Sequence, residues 1–248
     1  MAGHSKWKQI KHKKALTDSR RAANWTKIIR EITVAARAGG GDPAGNPRLR
    51  LAMDTARAAN MPNENIDRAI KKGTGELEGV NYEEITYEAY GPAGVAIMIE
   101  SLTDNGNRTV ADIRRWLSRN GGNLGTTGSV AWMFDRRGQI AVDAERFGEE
   151  QVMEAALEAG ALDVESEEGG YTVLTEVADF TAVQDALRAK GIEWEEAELA
   201  MIPKTEVRVE GGDAAMLVKL IDLLEELDDV QKVYTNADID EDSLASVS

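Results

Sequence analysis

The residues best equipped for chemistry stand at the start of the chain. Gly3-His4-Ser5-Lys6-Trp7-Lys8-Gln9-Ile10-Lys11-His12-Lys13-Lys14 sets five lysines, two histidines and a tryptophan within twelve residues. Lys6, Lys8, Lys11, Lys13 and Lys14 can neutralise phosphates and release their counterions, while the indole of Trp7 or the imidazoles of His4 and His12 can stack on an exposed base. This interleaving of cations and rings suits nucleic acid, and Arg20, Arg21, Lys27 and Arg30 extend it. The competing account is a solvated basic tail whose Trp7 packs on the core. A second, weaker basic group is Arg108, Arg115 and Arg119, which a helix places within about 40° of arc. Arg136 and Arg137 add a basic hairpin. Asp112 sits beside that stripe, so ordinary surface ion pairing explains it as well.

Other constellations carry less. The loop Thr103-Asp104-Asn105-Gly106-Asn107-Arg108 has no histidine or second carboxylate fixed near it by sequence, and turn formation with helix capping accounts for it. Gly121-Gly122-Asn123-Leu124-Gly125-Thr126-Thr127-Gly128 is rich in glycine but follows a helix, whereas dinucleotide and Walker loops precede one. A structural turn is the expectation. His4 and His12 are the only histidines, cysteine is absent, and no zinc spacing exists. The acidic runs Glu193, Glu195, Glu196, Glu198 and Glu225, Glu226, Asp228, Asp229 read as solvated edges rather than metal sites. With no nucleophile–base pair, metal set or phosphate loop, the chain is expected to be non-enzymatic, without cofactor or small-molecule substrate.

These side chains must be held by elements that the hydrophobic period reveals. From Asp18 to Ala38, Ala22, Trp25, Ile29, Ile32 and Ala36 share one helical face, and Arg20, Lys27, Arg30 and Arg37 share the opposite face as a cationic stripe open to solvent or ligand. Gly39 to Gly41 end that helix. Asn46-Pro47 caps a second, closed by Asn60, and Pro62-Asn63 opens a third that Gly73 stops. The turn between the last two superficially resembles helix-turn-helix, but Glu64 and Asp67 would face phosphates, so packing is the better account.

From Tyr82 the pattern turns strand-like: Tyr82 to Tyr90, a Gly91-Pro92 turn, Gly94 to Leu102, a helix that Asn107 caps and that runs to Arg119, and a strand from Ser129 to Phe134. Glu206 to Val209, a helix from Asp213 to Leu227, and Val230 to Tyr234 return to that pattern later. Between them, residues 139–201 spell a full β-α-β-β-α-β unit. The expected fold class is α+β: an N-terminal all-helical domain followed by two ferredoxin-like α+β domains, the third inserted into the second. The boundaries are 1–78, 79–136 plus 203–238, 137–202, and an acidic tail 239–248.

Composition agrees with a globular chain of 248 residues, 42% hydrophobic and 29% charged. The net charge of −15 hides a strong segregation. Residues 1–72 hold 16 basic against 6 acidic side chains, a net +10, and residues 73–248 hold 13 against 38, a net −25. Such a dipole suits a polyanion at one end and a soluble, self-repelling body at the other. The absence of cysteine fits a reducing compartment, and no apolar run approaches the roughly 20 residues of a membrane helix. A cytoplasmic protein without membrane contact is expected.

Taken together, Gly3-His4-Ser5-Lys6-Trp7, Ile10-Lys11-His12-Lys13-Lys14 and Asp18 resemble the opening signature of the YebC family of probable transcriptional regulatory proteins. Tyr87-Glu88-Ala89-Tyr90-Gly91-Pro92, Leu102-Thr103-Asp104-Asn105 with Asn107-Arg108-Thr109, Gly121-Gly122-Asn123-Leu124-Gly125 and Gly128-Ser129-Val130 are similar to that family's central blocks. The resemblance implies a three-domain fold, a cytoplasmic protein, no catalysis and no cofactor. It implies two kinds of work: members are labelled DNA-binding transcriptional regulators, while others are mitochondrial translational activators or have been connected to ribosomes. The expected partner is therefore DNA, or alternatively ribosomal RNA with basic ribosomal or transcription proteins meeting the acidic domains.

Overall fold

The computed structural model describes residues 21–167 and 169–239. Two compact units are present. The first holds described residues 21–131, 209–235 and 239. It begins with helices α1 (Arg21–Gly39), α2 (Pro47–Ala58) and α3 (Asn63–Thr74). Their core joins Ile28, Ile32, Ala35 and Ala36 of α1 to Leu49, Ala52, Ala56, Ile66 and Ala69. Asn46 ties the first two together. Its side-chain oxygen accepts from Leu49 N at 3.1 Å as the cap of α2, while its amide donates to Ala35 O at 2.8 Å and Gly40 O at 2.9 Å. Gly73 was expected to stop α3, but it lies inside the helix, and a Cβ there would meet Thr33 O at 2.4 Å. It lets the α1 and α3 backbones touch. The stop falls to Gly75, in the left-handed region at φ 84°.

The same unit holds β1 (Glu83–Tyr90), β2 (Ala96–Thr103), α4 (Gly106–Arg119), β3 (Asn123–Leu124), α7 (Gly211–Glu225) and β9 (Val230–Thr235). The strands form one antiparallel sheet in the order β3-β1-β2-β9, on which α4 and α7 pack side by side. This is a ferredoxin-like arrangement of four strands and two helices, completed late in the chain by β9. Three local expectations change. Asn105, not Asn107, caps α4 by accepting from Arg108 N at 3.1 Å. The expected strand Ser129–Phe134 is instead loop and a 3₁₀ turn at Ala131–Met133, because its amides go to a carboxylate rather than to a neighbouring strand. The outer position belongs to the short β3. Val207–Val209 (β8) pairs not with this sheet but with Ala237–Ile239 (β10).

The second unit holds residues 132–208 with 236–238. Its elements are β4 (Phe134–Asp143), α5 (Glu149–Glu158), β5 (Asp163–Glu167), β6 (Gly170–Thr175), α6 (Phe180–Ala189) and β7 (Glu196–Pro203). The antiparallel order β5-β6-β4-β7 is the ferredoxin-like order that the β-α-β-β-α-β pattern predicts. Ile140, Val142, Val152, Ala156, Val173, Val183 and Leu187 fill its core. The expected acidic tail lies beyond the described residues apart from Ile239.

Candidate nucleic-acid interface

His4, Lys6, Trp7, Lys8, Lys11, His12, Lys13, Lys14 and Arg20 lie outside the described residues, and Arg21 contributes the backbone that opens α1. The remaining cations of α1 correct the expectation of an open stripe. Lys27 Nζ donates to Glu225 O at 2.5 Å, and Arg30 Nη1 donates to Leu102 O at 3.0 Å and Asp228 O at 2.8 Å. Arg37 bonds Val80 O at 3.1 Å and the side chain of Asn81. For Lys27 the physical reason is the end of α7, where the carbonyl of Glu225 lies at the negative end of the helix dipole and takes a cation of α1. Arg30 is drawn instead to carbonyls of β2 and of the turn after α7, and Arg37 to the segment before β1. Lys27 and Arg30 thus dock the helical bundle on the sheet instead of extending a free surface.

Asp229 is the centre of this docking. Its carboxylate accepts from Arg30 Nη1 at 2.6 Å, from Arg108 Nη2 at 2.7 Å and Nε at 3.2 Å, and from Thr109 Oγ1 at 2.8 Å. Only 9% of the Asp229 side chain and 12% of Arg30 meet solvent, against 47% of Arg108. Burial pushes the Asp229 pKa up, but hydrogen bonds from Arg108, Thr109 and Arg30 outweigh it and hold the carboxyl below its usual range. The bonds that Arg108 donates to Asp229 and Asp104 in turn raise its guanidinium above its ordinary value. Asp229 had been expected on a solvated acidic edge, and the 103–108 loop had been expected to lack a second carboxylate. Asp229 supplies it. Both oxygens of Asp229 are occupied by guanidiniums or a hydroxyl, so the carboxylate serves as a latch.

A second buried carboxylate explains the glycine-rich loop. Glu88 of β1 accepts from Gly128 N at 2.6 Å, Val130 N at 2.7 Å and Ala131 N at 2.8 Å. Burial raises its pKa, yet these three backbone donors win and lower it. Converging amides of this kind could cradle a phosphate, but here the chain's own carboxylate fills the nest. The loop is structural, as expected. Sequence reasoning missed both Glu88 and Asp229. Glu88 carried a signal, as a carboxylate set between Tyr87 and Ala89-Tyr90 of a strand; Asp229 carried one as the residue directly before an apolar strand start, Val230.

The second basic group is divided by the structure. Arg108 belongs to the latch. Arg136 and Arg137 lie within β4 of the other unit, not on a hairpin, paired in register with Met201 and Ala200. Arg137 forms ion pairs with Glu176 and, at 3.6 Å, with Asp135, while Arg136 is exposed. Arg115 and Arg119 remain exposed on α4, their guanidiniums 5.2 Å and 5.9 Å from the Trp116 ring centroid. Among the described residues, no three His, Cys, Asp or Glu gather as metal ligands, and no helix is long and apolar enough to cross a membrane.

Two family models match the chain: the TACO1/YebC N-terminal domain over residues 5–76, and the TACO1/YebC second and third domain over residues 82–237. A probable transcriptional regulatory protein of Gemmatimonas aurantiaca is 59% identical over 245 residues, 99% of each chain. One of Chlorobium luteolum is 56% identical over 249 residues, covering 100% of this chain and 99% of its own. The crystal structure of a conserved hypothetical protein from Aquifex aeolicus superposes with a TM-score of 0.87 at 46% identity, covering 96% of this chain and 98% of that one. On the match of both models and of full-length relatives, the chain belongs to the TACO1/YebC family.

Proposed function

We propose that this chain is a non-enzymatic regulator of gene expression that grips duplex DNA through its basic amino-terminal segment, with the acidic α+β body held clear of the polyanion. The observation that carries this is the segregation of charge, +10 over residues 1–72 against −25 over the rest. The fate of several other cations sharpens it. Lys27, Arg30, Arg37, Arg48 and Arg108 are engaged by groups of the protein itself. Residues 1–21 carry seven lysines and arginines against one acidic residue, Asp18. The naming of the curated relatives as probable transcriptional regulatory proteins agrees with this function.

The test replaces Lys6, Lys8, Lys11, Lys13 and Lys14 by glutamine in the full chain and follows affinity against salt for a promoter duplex, a random duplex and a single-stranded RNA of equal length. Loss of five phosphate contacts should flatten the slope of log K against log salt by about 4.5 on duplex or about 3.5 on single strand. An unchanged slope would show that the segment is a bystander. Preference for the promoter supports the transcriptional role. Crosslinks in cells confined to ribosomal RNA would overturn DNA as the target and assign the same basic contact to translation.

A further inference from the structure

Several arginines besides those of α4 pair with carboxylates, three of them while lying over an aromatic ring. Arg30 lies over the Tyr82 ring and pairs with Asp229; Arg146 lies over Phe147 and pairs with Glu193; Arg188 lies over Trp194 and pairs with Asp185. Arg48, without a ring, holds both Glu31 and Glu84. Arg115 and Arg119 break the pattern. Both guanidiniums sit on one indole, that of half-buried Trp116, and among the described residues neither forms an ion pair with a carboxylate. Exposed Arg114 has no carboxylate partner either. Residues 73–248 contain 38 acidic side chains, so carboxylates are not scarce. Asp112, one turn before Trp116 on the same helix, is half-buried and forms no ion pair with either arginine.

Two like charges on one ring repel each other, and the arrangement becomes favourable when an anion lies between or across them. Helix geometry sets residues 115 and 119 about 6 Å apart along the axis and on one face, a spacing close to the step between successive phosphates of one strand. The ring restricts both guanidiniums and so reduces the entropy lost when they engage a ligand. Their planar forks match phosphate oxygens. Ile113 and Leu117, fully buried, anchor α4 to the sheet and fix the face that carries the pair.

We propose that the Arg115–Trp116–Arg119 face of α4 is a second contact for the nucleic-acid phosphate backbone, separate from the amino-terminal segment. This rests on the nucleic-acid function proposed above and adds a surface to it. The test compares the full chain with Arg115→Gln/Arg119→Gln and, as a control for charge removal, with Arg188→Gln, whose guanidinium also covers a tryptophan but has a carboxylate. Affinity is followed against salt for a duplex DNA and a single-stranded RNA of equal length, with thermal unfolding to verify the fold. Loss of two phosphate contacts should lower the salt slope by about 1.8 on duplex or about 1.4 on single strand, and the control should leave it unchanged. If the lysine variant loses slope while the double arginine variant does not, this second contact is refuted and the amino-terminal reading stands. An equal loss in the control refutes it too. If the unaltered chain binds neither polymer, both readings fall.

Discussion

Replacing Asp229 by alanine should be among the most damaging single changes in the first unit. The substitution strips acceptors from Arg30, Arg108 and Thr109 at once. Arg30 bears most of the consequence, since 12% of its side chain meets water and only the carbonyls of Leu102 and Asp228 and the face of Tyr82 would remain to it. Breaking one side of such a buried pair costs about 3–5 kcal/mol. Arg108 is half open to solvent and its share is screened to about 1 kcal/mol or less. The expectation for Asp229→Ala is therefore about 3–5 kcal/mol in urea unfolding, a large part of the roughly 5–15 kcal/mol that holds a domain together. Arg108→Gln should cost about 1 kcal/mol. Arg30→Met combined with Asp229→Leu, which removes both buried charges, should cost clearly less than the sum of the single changes. An Asp229→Ala loss within about 1 kcal/mol of the unaltered chain, or strict additivity in the double variant, would refute the latch.

Glu88→Gln keeps the size of the side chain but loses charge-assisted bonds to three amides, so it should cost about 1.5–3 kcal/mol, with faster hydrogen exchange at Gly128, Val130 and Ala131. Glu88 and Asp229 both have folded pKa values below their unfolded ones. Their stabilisation is therefore present above the unfolded carboxylate range near pH 4 and is lost as pH falls through the folded values. In acid titration of stability, the gap between the unaltered chain and Glu88→Gln should narrow below about pH 4; a constant gap would contradict the assignment. Gly73→Ala drives a Cβ to 2.4 Å from Thr33 O, and should cost about 1–3 kcal/mol, seen as a lowered melting temperature with the binding segment untouched.

Much of the architecture was legible because period and punctuation agree locally. Asn46-Pro47 announces α2, the shift from 3.6 to 2 residues per repeat marks β1, and residues 139–201 spell their own topology. What was illegible depends on partners distant in the chain. A stripe of Lys27, Arg30 and Arg37 looks like an open cationic face on a helical wheel, since nothing nearby in sequence names Glu225 or Asp229 as its partners. Ser129–Phe134 has strand-forming residues, yet Glu88, some forty positions earlier, takes its amides. Gly73 reads as a stop from its type alone, and only the approach of α1 shows it to be a contact point. The basic amino-terminal residues are the converse case: their chemistry is plain from composition, and their placement lies outside the described residues.

The latch joins Arg30 to a residue 199 positions downstream, and β9, the last strand of the first sheet, follows it immediately. During synthesis, the early helices and the β1–β2 hairpin leave the ribosome long before either anchor exists, while the whole inserted unit is made in between. That insert has all four strands of its own large sheet in one uninterrupted stretch and can form that sheet as soon as it emerges, whereas its host must wait, with β2 presenting an unpaired edge. Truncated chains ending before residue 229 should therefore hold a folded insert inside an unfinished host, and the first unit closes only once Asp229 and β9 are free to join it.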